Sequence, residues 1–139
     1  MAVNKDGVYI AENKDFEYIN GNWIYKGKSL EVDVTDFVNS KNLTSISSMF
    51  SGSSTNKSTA VKRVVLGKNR VIDMNSMFRD SQATSLDLSS FRTSSVTNMS
   101  NMFRDSLARK GYARTQADAN KFNSSSYKPS GLIFVVKPN

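Results

Sequence analysis

The chain has 139 residues, enough for one domain around one modest core. It contains neither cysteine nor histidine, which excludes disulfides, zinc–thiolate sites, thiol nucleophiles, and the commonest general base and transition-metal ligand. The net charge of +7, from 19 basic and 12 acidic residues, has the sign that polyanions attract; the basic residues are nevertheless scattered rather than run together, as on an ordinary soluble surface.

Residues 1–7 contain no apolar h-region, so no secretory signal is expected. The longest apolar run, 132–136, suits a buried strand and is far short of a membrane span, so no membrane insertion is expected. Residues 1–40 hold the only tryptophan, Trp23, and three of the five tyrosines. Segments 8–10, 16–19 and 23–26 are rich in strand formers, and Asn20-Gly21 between the last two is a tight-turn signal. This predicts an N-terminal β-rich cap over 1–40, built on a hairpin or small meander. Trp23 and Tyr25 alternate on a strand and so share a face. With Tyr18 they form either an exposed aromatic platform for a sugar or a partner, or the core of the cap itself. Leu30-Glu31-Val32-Asp33-Val34 follows as a candidate first strand of the main sheet.

Residues 41–110 repeat themselves. Val71-Ile72-Asp73-Met74-Asn75-Ser76-Met77-Phe78-Arg79-Asp80-Ser81 returns 25 residues later as Val96-Thr97-Asn98-Met99-Ser100-Asn101-Met102-Phe103-Arg104-Asp105-Ser106. A weaker copy, 43–53, lies 28 residues upstream of the first. A fixed period in this range marks a solenoid, whose small units stack on their neighbours. Within a unit the stripe Val71, Met74, Met77, Phe78, and then Val96, Met99, Met102, Phe103, has the spacing of one face of a short helix. Ser95 stands where the N-cap of the later helix would stand. Leu86-Asp87-Leu88-Ser89 alternates with period two and predicts a strand with leucines inward, and Phe91 plugs the following turn. Val64-Val65-Leu66 holds the same place one unit earlier. The expected repeat core is therefore Met74, Met77, Phe78, Leu86, Leu88, Phe91, Met99, Met102 and Phe103. Methionine at these positions reads as gap-filling core rather than a soft-metal site. The polar stretch 51–60 predicts a surface loop.

Residues 111–139 predict a C-terminal capping repeat. Strand-like 111–113 precedes a helix over 116–122, where Thr115 and Asp118 resemble a capping box with Asp in place of Glu or Gln. Pro129 then breaks the chain before a last strand at 132–135, and the C-terminus reads as natural. Strands joined by such crossovers are parallel and the crossovers right-handed. The expected fold is α/β: one compact, small right-handed leucine-rich-repeat-like solenoid with parallel strands, an N-terminal β-hairpin cap and a C-terminal helix-strand cap.

The stretch from Met74-Asn75-Ser76-Met77-Phe78 through Ser85-Leu86-Asp87-Leu88-Ser89-Ser90-Phe91-Arg92-Thr93-Ser94-Ser95-Val96-Thr97-Asn98-Met99-Ser100-Asn101-Met102-Phe103 resembles the repeats of BspA-like leucine-rich-repeat surface proteins, also met as mycoplasma lipoprotein-type repeats. The family pattern reads roughly LDLSxFDTSxVTxMxxMF. The resemblance covers 43–106, and 111–118 looks like the terminal segment of some members. Family repeats often carry a cysteine shortly after Met-Phe, where Ser53, Ser81 and Ser106 stand here, and an aspartate where Arg92 stands. The chain also has no lipobox or wall-anchor motif. The resemblance implies a non-enzymatic protein of bacterial surfaces and adhesion, with short versions among phage and prophage proteins.

Arg79 and Arg104 recur at equivalent positions, and with Arg92 they could form a basic ladder for phosphate or an acidic glycan. The alternative is that each pairs with a neighbouring carboxylate or caps carbonyls. No calcium-loop spacing, phosphate loop or nucleophile elbow occurs, so no catalytic residue, metal ligand or cofactor is assigned. The expectation is a non-enzymatic structural and adhesive protein, most simply a phage or phage-like virion component (tail, baseplate or capsid-associated). Its binding residues would be Arg79, Arg92, Arg104, Trp23 and Tyr25. Its partners would be protein subunits of an assembly or a cell-surface polymer, with self-association into a homo-oligomer, and its location the virion or cell surface. One alternative is an exported surface adhesin seen as a fragment. Another is a basic nucleic-acid-binding protein, disfavoured because the basic residues are not clustered and no nucleic-acid module occurs.

Overall fold

The computed structural model describes residues 1–52 and 60–139. In chain order the strands are β1 (Tyr9–Ile10), β2 (Phe16–Ile19), β3 (Asn22–Tyr25), β4 (Glu31–Asp33), β5 (Arg63–Val65), β6 (Ser85–Asp87), β7 (Lys110–Ala113) and β8 (Ile133–Val136). A 3-10 turn spans Asn13–Asp15, and the helices are α1 (Thr35–Ser40) and α2 (Gln116–Asn123). Six strands form one sheet in the order β1-β4-β5-β6-β7-β8, and every neighbouring pair is parallel. β2 and β3 form a separate antiparallel hairpin. The fold is thus mixed α/β, and all five expected sheet segments from 30–34 to 132–135 form strands.

Alternation along the strands decides what is buried. Val32, Val64, Leu86 and Phe134 point into the core, while Glu31, Arg63, Lys110 and Ile133 stand on the outer face. Gly111 takes the inward place in β7 because the Phe134 ring lies where its Cβ would be. The hairpin turns at Asn20 (φ 51°) and Gly21 (φ 85°), both left-handed, as a two-residue turn between twisted strands requires. Its inner face places Phe16 on Phe37, with ring centroids 3.7 Å apart, so the hairpin covers α1.

The repeated methionine stripe does not form helices. Segments 75–80 and 100–105 are runs of turns, with left-handed backbone at Ser76, Asp80, Asn101 and Asp105 (φ 57° to 58°). The reason lies in where the amides point. Met77, Arg79 and Ser81 donate backward to Met74, Ser76 and Phe78, but the residues between them donate sideways. Met74, Ser76, Phe78 and Asp80 reach the carbonyls of Asn98, Ser100, Met102 and Arg104, and Ile46, Ser48, Phe50 and Gly52 reach Asp73, Asn75, Met77 and Arg79. A helix would spend all these amides within one segment; here half of them tie neighbouring copies together. Ser95 therefore caps nothing, and Val96 instead donates to the Thr93 carbonyl in a short turn.

Side-by-side copies stack their phenylalanines. Tyr25, Phe50, Phe78 and Phe103 follow one another at centroid spacings of 5.5, 5.5 and 6.0 Å, and Phe122 and Phe134 close the row beyond Phe103. Met74, Met77, Phe78, Leu86, Leu88, Phe91, Met102 and Phe103 are buried as expected. Met99 is only partly buried, because the copy that holds it is the last and borders an open groove beside α2. Ser81 and Ser106, at two of the positions where the family often has cysteine, are buried, and the Ser81 hydroxyl lies 3.2 Å from that of Ser106. Ser53 and most of the expected 51–60 loop fall outside the described residues.

Both edges of the sheet are covered. Residues 2–4 bond back along β1, with an antiparallel bridge between Val3 and Tyr9. At the other edge the side-chain amide of Asn123 imitates a strand: it accepts from the Phe134 N–H at 2.8 Å and donates to the Phe134 carbonyl at 3.0 Å. Exposed Ile133, Val135 and Val136 flank this clamp, so an unclamped β8 would be an aggregation edge. Asn123→Ala is expected to make the mass measured by light scattering climb with concentration; a mass that holds at the wild-type value would show that the clamp does not guard the edge.

Candidate functional site

The turn segments place Arg79 and Arg104 at the same point of neighbouring copies, since the amide of Asp80 bonds the carbonyl of Arg104. Each guanidinium lies near the next carboxylate, 3.8 Å for Arg79–Asp80 and 4.0 Å for Arg104–Asp105, with the side chains half exposed. Such loose, solvated pairs contribute little to stability. Arg104 also stacks on Tyr127, with the guanidinium carbon 4.5 Å from the ring centroid. No sequence pattern links these two residues, which meet only because the segment after α2 folds back over the last copy. Arg92 is exposed and lies in the connection after β6, outside the repeated turn segment. Arg92 therefore does not stand in register with Arg79 and Arg104.

The aromatic residues of the hairpin divide. Tyr25 is buried between Phe16 and Phe50 and donates its hydroxyl to the Ser29 carbonyl, so it belongs to the core of the cap and cannot be a platform. Burial pushes its pKa up. Trp23 is half-buried: its ring meets Phe37 edge-on at 5.6 Å, and the Lys41 ammonium sits 4.6 Å from its centroid. Tyr18, paired with Trp23 across the hairpin, is largely exposed. The ring available to a ligand is thus that of Tyr18. Nothing in the alternation distinguishes Tyr25 from Tyr18; only distance from the core does.

The outer face of the sheet carries a chain of charges. Arg63 lies 3.7 Å from Glu31 and 3.9 Å from Asp87, and Lys137 reaches Asp87 at 2.6 Å. Burial works to raise the Asp87 pKa, but bonds from Lys137 and Ser89 outweigh it and hold the carboxyl below its usual range. Among the described residues no three Asp or Glu side chains gather as a metal site, and no helix is long and apolar enough to cross a membrane.

Parallel strands, laterally bonded turn segments and a stacked phenylalanine row are the geometry into which the repeats fold, and a family model identifies their kind. Residues 24–134 match the family described as Mycoplasma protein of unknown function, DUF285. The chain belongs to that family, and the match runs from β3 to β8, well beyond the copies at 43–106. No curated protein and no solved structure matches the chain significantly.

Proposed function

We propose that this chain is a non-enzymatic structural and adhesive repeat protein, folded as a short right-handed leucine-rich-repeat-like solenoid. The lateral bonding carries this reading: alternate amides of the first two turn segments bond the copy that follows, so the scaffold holds half-exposed side chains such as Arg79 and Arg104 in register. A rigid stack is suited to presenting surface groups rather than to closing around a reaction. Presentation in many copies, as on a phage or phage-like particle, would multiply weak contacts. The BspA-like repeat resemblance supports the adhesive half of the reading.

The structural half is tested by the absolute mass in solution, from size-exclusion chromatography with light scattering. A discrete oligomer is the expected result. A monomer at every concentration up to about 1 mM would overturn self-assembly and leave a monovalent binding module.

A further inference from the structure

The tip of the β2–β3 hairpin overhangs the loop that follows α1, and between them lies an open hollow of about 270 Å³. Its upper wall is aromatic. Tyr18 and Trp23 form a cross-strand pair with centroids 4.9 Å apart, and Tyr18 is 60% exposed. Lys41 and Phe37 hold the Trp23 ring in place from its other sides. The remaining walls are uncharged: Gly21, Leu43 and Ser45 line them together with the polar side chains of Asn22, Asn42 and Thr44. No hydrogen bond within the described residues engages the side chains of Asn22, Asn42 and Thr44. Asn42 is set in left-handed backbone (φ 50°), and its amide bonds Asn39 in the turn that ends α1, so its exposed side chain leaves from a fixed point.

An exposed aromatic face opposite neutral amides and a hydroxyl fits one ligand chemistry well. A pyranose ring with equatorial hydroxyls presents C–H bonds on its faces and hydroxyls around its rim. The C–H face takes the ring of Tyr18, and the rim hydroxyls take amides, which can both donate and accept. The volume suits one sugar unit, and the hollow is open, so neighbouring units of a chain can continue past it. We infer that the Tyr18–Trp23 hollow binds a gluco-configured hexopyranose unit of a polysaccharide. This rests on the adhesive half of the proposed function and names its ligand class.

Trp23 is the only tryptophan, so its fluorescence reports on this hollow directly. The full chain is titrated with cellohexaose and with chitohexaose, following tryptophan emission and, in parallel, heat. The expected result is saturable binding of at least one hexaose, with an emission change. Tyr18→Ala is expected to weaken it at least tenfold. Asn42→Gly, which keeps the left-handed backbone while removing the amide, should weaken it about threefold or more. Leu107→Ala, at an exposed residue far along the chain and outside both candidate sites, should leave it unchanged. No saturation by either sugar at 10 mM would overturn the inference, as would binding that survives Tyr18→Ala. The oligomer mass does not enter this test, so the sugar site and self-assembly can fail separately.

Discussion

Replacing Phe78 with alanine is expected to destabilise the protein by about 3–5 kcal/mol, a large part of the total stability of a domain this size. Phe78 is fully buried, and its ring lies nearly parallel between Phe50 and Phe103, at 12° and 11°. Removing it opens a cavity in the middle of the row, with an aromatic ring on each side. Those rings cannot close the gap, because their own segments are pinned sideways by backbone bonds, Phe50 to Met77 and Phe78 to Met102. Phe78→Leu keeps most of the volume and should cost clearly less. Urea unfolding at neutral pH measures both. A loss under about 1 kcal/mol for the alanine variant would mean that the row does not hold the copies together.

The second large effect belongs to Asp118, which is buried at the start of α2. One carboxylate oxygen accepts from the Thr93 amide at 3.0 Å and the Thr93 hydroxyl at 2.5 Å; the other accepts from Thr115 at 2.7 Å and faces Arg114 at 3.3 Å. The capping box expected from Thr115 and Asp118 is thus half of one: Thr115 caps the Asp118 amide, while the carboxylate turns to Thr93 and ties the C-terminal helix to the connection before the last copy. Asp118→Ala orphans the buried Thr93 amide and hydroxyl and should cost about 2–4 kcal/mol.

Burial works to raise the Asp118 pKa, but the bonds from Thr93 and Thr115 and the charge of Arg114 outweigh it and leave the carboxyl below its usual value. A depressed carboxylate contributes stability that is complete above the unfolded-state value of about 4 and is lost as pH falls through the lower folded-state value. Unfolding free energy of the wild type should therefore drop as pH falls below about 4. Asp118→Asn should show a smaller drop, the remainder belonging to groups such as Asp87. Equal acid slopes in the two proteins would remove Asp118 from this account.

Much of the fold is legible in the residues alone. The period of the copies, the period-two strands and the Asn20-Gly21 turn are local patterns with single physical meanings, and the strands and the hairpin form where those patterns lie. The candidate site is less legible. Arg79 and Arg104 do recur in register, but Arg92 shares only their charge and not their place. Tyr18, Trp23 and Tyr25 read alike as strand aromatics, although one is core and another is exposed.

The stripe at 71–78 marks the limit. Apolar residues at i, i+3, i+6 and i+7 suit a helix and equally suit a run of turns with one apolar side. The residues that take the left-handed turns are Ser76, Asp80, Asn101 and Asp105. None is a glycine, so composition carries little warning, although Asp and Asn tolerate this region better than most. What decides between the two is whether a neighbouring copy offers carbonyls at the right height. An isolated segment has none, and a stacked one does. The repeat, the strand positions and the apolar pattern follow from the order of residues, because each is a property of neighbours along the chain. The sideways turn of alternate amides, the closure of the last edge by Asn123 and the exposure of Tyr18 to an open hollow do not. Each of these depends on partners distant along the chain, which only folding brings within reach.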